Sequence, residues 1–252
     1  MSVPVPAARA SDPATWTDAH LHLWDSARLA PPWLAQAPAF AGRFDHARYL
    51  AEGGVRGGIV LVEADVAPAD RAREARLLAE WGEASGGPFA VVAGIEPGAE
   101  DFARELDEVA AAPRVVGARR VLHGGDIPFT TAAFDADLRV LGARGLSFDL
   151  CVRWTDLAPV ESLAEGLARA APATRLVLDH LGNPPLRAGW DSPERASWQR
   201  LVARIAAFPN VSVKWSAMFE NAGRALSADE IRPWFEWCLA CFGAGRIMWG
   251  SN

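Results

Sequence analysis

Short apolar runs with β-type composition recur along the whole chain. They are predicted as strands over residues 17–24 (TDAHLHLW), 56–63 (RGGIVLVE), 89–95 (FAVVAGI) and 115–122 (VVGARRVL), then 146–152 (LSFDLCV), 175–181 (RLVLDHL), 211–216 (VSVKWS) and 246–251 (RIMWGS). Between them lie segments of helical period. The spacing predicts helices over residues 45–52, 69–85, 99–112, 134–144, 156–171, 192–208 and 227–241, most of them stopped by glycine or proline. Eight strands alternating with helices, at intervals that fit a strand, a crossover helix and two loops, point to a (β/α)₈ TIM barrel of the α/β class. A doubly wound open sheet is the competing reading. It would carry a glycine-rich phosphate turn after its first strand, where this chain has Asp25-Ser26-Ala27-Arg28, and the sequence holds neither G-x-G-x-x-G nor a P-loop. Residues 1–15, rich in proline and alanine, are expected to be a flexible tail, and residues 16–252 a single barrel domain. Because the chain reaches Asn252 at the end of its eighth strand, the barrel is expected to lack its final C-terminal helix, whether by truncation or by design. The expected cost is an apolar stripe beside the first and last strands.

Alternation assigns side chains to faces. On the first strand Asp18, His20 and His22 share one face, and Ala19, Leu21 and Leu23 the other. The apolar set suits the helix layer, so the two imidazoles are expected to point into the barrel mouth, about 6–7 Å apart at Cα and suited to gripping one cation or one substrate group. Glu63 closes the second strand. Arg119 and His123 share a face of the fourth, where an inward guanidinium requires an anion, either a substrate oxygen or a structural acid such as Asp149. The sixth strand ends in Asp179-His180; consecutive residues face opposite ways, so only one of the two need enter the pocket. We favour His180. Lys214, the sole lysine, sits in the seventh strand as an anion clamp or a buried ion pair, and Trp24 stands near a strand end where it could stack on a ring.

Composition narrows the partners. Half the residues are apolar and 22% charged, with 25 basic against 31 acidic side chains and a net charge of −6. Such a chain lacks the basic footprint of a nucleic-acid binder, and no apolar run reaches the ~20 residues of a membrane span. Three cysteines, including Cys238-x-x-Cys241 in a helical segment, make no disulfide framework, and we expect a cytoplasmic protein that acts on a small molecule; a homo-oligomer stays open.

Six pieces in chain order complete the picture: Asp18-Ala-His-Leu-His-Leu-Trp24, Val62-Glu-Ala64, Gly117-Ala-Arg119, Leu178-Asp-His-Leu-Gly182, Asn210-Val-Ser-Val-Lys-Trp-Ser216 and Met248-Trp-Gly-Ser-Asn252. Together they resemble the amidohydrolase superfamily, in particular its branch of sugar lactonases and 2-pyrone-4,6-dicarboxylate lactonases. The resemblance implies a hydrolase that opens a lactone ring by attack of activated water. It implies His20, His22 and His180 as ligands of one divalent metal, zinc or manganese, with metal-free catalysis as the other option. The catalytic set would be His180, Arg119 and Asn252, with Glu63, His123, Lys214 and Trp24 binding substrate. Most relatives carry aspartate where this chain has Asn252, and an amide cannot take a proton from water near neutral pH. A zinc-dependent decarboxylase of the same superfamily and a barrel without turnover are the alternatives.

Overall fold

The computed structural model describes residues 15–123 and 131–252; most of the expected N-terminal tail lies outside them. Eight parallel strands stand in chain order around a barrel: β1 (Asp18–Leu21), β2 (Ile59–Val62), β3 (Phe89–Gly94), β4 (Val115–Val121), β5 (Ser147–Cys151), β6 (Arg175–Leu178), β7 (Val211–Trp215) and β8 (Ile247–Trp249). Each of the eight predicted apolar runs contains one strand, and each strand is shorter than its run. The helices are α1 (His46–Ala51), α2 (Arg71–Ala84), α3 (Phe102–Ala110), α4 (Ala132–Ala143), α5 (Leu157–Ala170), α6 (Pro193–Ala206), α7 (Met218–Ala222) and α8 (Ala228–Phe242). Their starts are chemically marked: Asp45, Thr131, Ser192 and Ser227 each accept a backbone N–H of the first turn, and Ser227 with Glu230 makes a full capping box. Neither α7 nor the small antiparallel pairing of Trp24–Asp25 with Arg43–Phe44, which carries a loop across the mouth, is foreshadowed by periodicity.

Helices and strands meet through leucine, isoleucine, valine and aromatic side chains. Leu21, Leu23, Ile59 and Leu61 pack with Leu78 and Ala79 of α2, as alternation on the first strand requires. Trp198 of α6 is wholly buried in the main core, and its indole N–H donates to the Leu181 carbonyl at 2.9 Å. Cys238 is buried on α8, and the cysteines are unpaired.

The last strand pairs with β7. Gly250 extends that pairing, its N–H donating to the Trp215 carbonyl at 3.1 Å, and the residues after it bond to the first strand: Ser251 N–H donates to Asp18 Oδ1 at 3.0 Å and Asn252 N–H to the His20 carbonyl at 2.8 Å. The barrel is thus nearly closed by a three-residue clasp. Between β7, β8, α7 and α8 runs an apolar groove of about 650 Å³ lined by Trp215, Met218, Phe219, Ile231, Phe235 and Trp249, with no lining residue from β1.

Gly250 is the tightest point of the clasp. A methyl group there would lie 2.5 Å from His20 Cβ and 2.9 Å from His20 N, both beyond easy relief because one is backbone. Gly250→Ala is expected to lower stability by about 1–3 kcal/mol through overpacking. The check is a lower urea midpoint with an unchanged m-value.

Candidate active site

The site is assembled at the carboxyl ends of the strands from side chains far apart in sequence. At its base is a buried chain of charges. Arg119 from β4 donates through Nη1 to Glu63 Oε1 at 2.5 Å and through Nε to Asp179 Oδ2 at 2.7 Å. Asp179 Oδ1 lies 3.4 Å from His20 Nδ1 and 3.7 Å from Lys214 Nζ, and Lys214 in turn donates to Asp149. All of these groups are buried. Burial works against the charge of Arg119, but the surrounding charges, Asp179 and Glu63 among them, raise its pKa well above the usual value. The same partners, His20, Lys214 and Arg119, outweigh burial at Asp179 and hold its carboxyl well below the usual range.

The anion that the inward guanidinium demands is therefore supplied by the protein, by Glu63 and Asp179 and not by Asp149, which is taken by Lys214. Lys214 lies inside this chain of charges rather than at the mouth.

Alternation failed at one place that matters. Strand β6 stops at Leu178, and the backbone then turns left-handed at His180 (φ 55°), Leu181 (φ 55°) and Asn183 (φ 47°). Left-handed backbone is costly for residues with a Cβ and persists where neighbours fix it. Here the Trp198 indole holds the Leu181 carbonyl, and Asn183 donates to the Val152 carbonyl at 2.7 Å while accepting from Asn221 at 2.7 Å. Alternation already carries Asp179 inward, on the face opposite Leu176 and Leu178, and the left-handed step at His180 brings the imidazole in as well.

Around this base stand three imidazoles. His20 Nε2 and His22 Nε2 approach to 3.0 Å, and the His20 ring is 4.8 Å from that of His180, centroid to centroid. His180 Nδ1 lies 2.7 Å from Ser216 Oγ. Burial disfavours the charged ring in all three: it lowers the pKa of His22 to about 4 and of His180 to about 3, and that of His20 well below its usual value. All three are neutral at pH 7, the form that offers a lone pair to a metal. His20, Asp179 and His180 each bring a donor atom within 4.8 Å of the others.

The hydrogen bonds test whether a cation suits this set. His22 Nδ1 lies 3.1 Å from the Val62 carbonyl, which assigns its proton to Nδ1 and leaves Nε2 bare. The proton of His20 then belongs on Nε2, facing His22. His20 Nδ1 has none to give to Asp179, and Asp179 Oδ1 is buried without a hydrogen-bond partner. If both Nε2 atoms instead give their lone pairs to a cation, the His20 proton moves to Nδ1 and satisfies that orphaned oxygen. The result is the carboxylate–histidine arrangement that orients metal ligands. The donor set fits a divalent cation.

Above the imidazoles opens a cavity of about 420 Å³ whose walls include His22, Trp24, Arg119, Asp65, Glu220 and Asn252. Asn252 Nδ2 donates to Glu220 Oε2 at 2.5 Å, while its Oδ1 is buried without a partner. Glu220 comes from the short α7, entered through a left-handed Ala217 (φ 56°). It lies in a stretch with no periodic pattern, so nothing in the sequence marked it. His123 is elsewhere: its Nε2 is 3.5 Å from Cys151 Sγ, and it lines a neighbouring hollow with Arg153 and Arg187 that shares no lining residue with the cavity.

A family model described as amidohydrolase matches residues 17–252. The chain belongs to the amidohydrolase family. It is 27% identical over 245 residues to an L-fucono-1,5-lactonase from Burkholderia ambifaria, covering 93% of this chain and 79% of that protein. An amidohydrolase from Burkholderia multivorans, crystallised with bound zinc, is 27% identical with a TM-score of 0.77, over 95% of this chain and 84% of that one. A probable 2-pyrone-4,6-dicarboxylic acid hydrolase from Acinetobacter baumannii, crystallised with citric acid, shares the fold at 16% identity and a TM-score of 0.68, over 94% of this chain and 84% of that one.

The imidazoles give this amidohydrolase a pH signature. Unfolded histidines take up protons near pH 6.5, whereas native His22 and His180 do so only near 4 and 3. Between those limits the unfolded state binds more protons, so stability is full above about pH 6.5 and falls as the pH drops toward 3. In chelator-treated protein the urea midpoint is expected to decline over this window, and His180→Asn to make the decline shallower. Equal slopes for the two proteins would show that His180 is not held neutral.

Proposed function

We propose that this protein hydrolyses a lactone, opening the ring by attack of water on its carbonyl carbon. The observation that carries the reading is the convergence of His20 Nε2 and His22 Nε2, 3.0 Å apart, near a cavity that Arg119, Glu220 and Asn252 also line. The likeness to an L-fucono-1,5-lactonase and to a zinc-bound amidohydrolase supports it. His20, His22 and His180 would hold one divalent ion, zinc or manganese, with Asp179 behind His20, and that ion would supply Lewis acidity toward the ring carbonyl.

The chain's own groups do the rest. Asn252 Oδ1, lacking a partner, accepts from and orients the attacking water. His180 is too weak a base for the water's proton once burial has lowered its pKa to about 3. Asn252 is an amide and takes none. The carboxylate of Glu220, bonded to the Asn252 amide, receives it. As the C–O bond forms, the carbonyl electrons move onto oxygen, and the guanidinium of Arg119 faces the developing charge. Collapse expels the ring oxygen, which takes a proton and leaves a hydroxy acid. Trp24 bounds the substrate. Glu63 acts through Arg119 as a positioning residue.

Purified protein is expected to release protons from at least one member of an aldonolactone panel. Glu220→Gln should lower kcat by roughly 10²–10⁴-fold, the usual worth of a general base. It should leave bound metal, read by elemental analysis, unchanged, whereas His22→Ala should lower metal content. Background rates on every lactone, with and without zinc or manganese, would overturn the proposal.

A further inference from the structure

Opening a lactone leaves an alkoxide unless the ring oxygen receives a proton as its bond to carbon breaks, and a positioned acid makes that step easy. The base is badly placed to give back what it took, because Glu220 Oε2 is tied to the Asn252 amide at 2.5 Å on the side of the water. A second group is needed. Among the described side chains that line the cavity, His22 has no proton to spare: burial keeps its ring neutral, and its Nδ1 proton points to the Val62 carbonyl at 3.1 Å. Arg119 keeps its protons. The indoles of the aromatic wall are engaged, Trp24 with the Phe40 carbonyl at 2.9 Å and Trp33 with the Ala64 carbonyl at 2.7 Å. Asp65 remains.

Its position is built. Asp65 follows β2 in left-handed backbone (φ 52°), a conformation that persists in a residue with a Cβ where neighbours hold it. Asp65 N–H donates to Glu63 Oε2 at 2.6 Å, Ala64 N–H donates to Glu74 Oε1 at 2.8 Å, and the Ala64 carbonyl accepts the Trp33 indole. Glu63 thus holds Arg119 with one oxygen and the Asp65 backbone with the other, so the charges at the base of the site also aim this carboxyl. The strands run around the mouth in chain order, so β8 and β1 lie between Asp65, after β2, and Glu220, after β7. The imidazoles of His20 and His22 have a carboxyl on either flank.

The chemistry of the Asp65 carboxyl suits an acid. Partial burial and the charge of Glu63 push its pKa up, against the pull of Arg120, Arg119 and Arg71. Arg120 stands off at 3.4 Å and is shared with Glu96. With 44% of its side chain exposed, Asp65 can regain a proton from solvent between turnovers.

We propose that Asp65 is a catalytic acid that protonates the departing ring oxygen. As the tetrahedral intermediate collapses, an electron pair of its oxyanion re-forms the carbonyl and the ring C–O bond breaks. The ring oxygen takes the Asp65 proton with the pair it gains. Asp65 is left a carboxylate while Glu220 holds the proton of the water. Exchange with solvent restores both, and ionisation of the new carboxylic acid accounts for the proton released overall. This rests on the hydrolytic reading above and adds one group to it.

The test is Asp65→Asn, which removes the acid, keeps the shape and suits left-handed backbone. Each readout is a ratio within one protein, so it survives a partial loss of stability. On an aldono-1,5-lactone, whose oxygen departs as an alkoxide, the variant should lose about 10²–10⁴-fold in kcat. On six-membered aryl lactones, which depart as phenolates and need no acid, it should lose less than about tenfold. In heavy-oxygen water the variant should also return more label to unreacted aldonolactone per turnover than the parent, because its intermediate forms but collapses backward. Where the parent opens no aryl lactone, the label alone decides. Equal losses on both lactone types without added label, or no loss on either, would overturn the assignment and leave hydrolysis standing, with Glu220 carrying the proton both ways. A parent protein that opens no lactone at all would sink the hydrolytic reading itself.

Discussion

Everything at the mouth of this barrel depends on a buried relay of charge running from Glu63 through Arg119 and Asp179 to His20 and Lys214, and on to Asp149. Each member would be costly alone in a dry interior, and each is tolerated because its neighbour neutralises it. The relay draws on β1, β4, β5, β6 and β7 and on the end of β2, so it can form only when the strands have closed into a ring. It is also what sets the imidazoles to work. A carboxylate held ionised behind His20 waits for a proton on Nδ1, and that proton arrives there only when Nε2 is given to something else. The fold has thus placed its strain, an orphaned carboxylate oxygen, where a cation would relieve it.

The second constraint is the left-handed turn after β6. A strand that simply continued would have sent His180 to the face opposite Asp179 and broken the imidazole cluster. The turn is held from outside the barrel by the indole of Trp198 and from inside by Asn183, so the helix layer helps fix the geometry of the candidate site without touching it. Residues 250–252 do comparable service at the other seam. Their backbone bridges β7 to β1, and the same three residues deliver Asn252 to the cavity, which ties barrel closure to completion of the site.

The substitution of an amide for the aspartate that the family resemblance implies at position 252 takes on a different meaning once Glu220 is seen beside it. An amide donates where an acid would repel, so Asn252 can anchor a carboxylate at 2.5 Å that a second acid could not tolerate. On this reading the carboxylate has changed places rather than vanished, moving from the strand end to a short helix.

The sequence by itself determined the barrel. Strands and helices alternate with distinct periods, and burial of one face per element leaves a closed parallel sheet as the consistent solution. Alternation also determined that His20 and His22 share a face, since both lie within or next to a regular strand, and it brought Arg119 inside. What only the tertiary structure decided lies where regular backbone ends. His180 is aimed by its own left-handed backbone, Glu220 by a five-residue helix, and the aromatic wall by a loop tied across the mouth; none has a period to read. Lys214 and Asp149 could be assigned to the interior from sequence, but not to each other, because which charges meet across a barrel depends on register between strands distant in the chain. Local pattern fixes which way a side chain points along an element, and only the closed ring fixes what it meets.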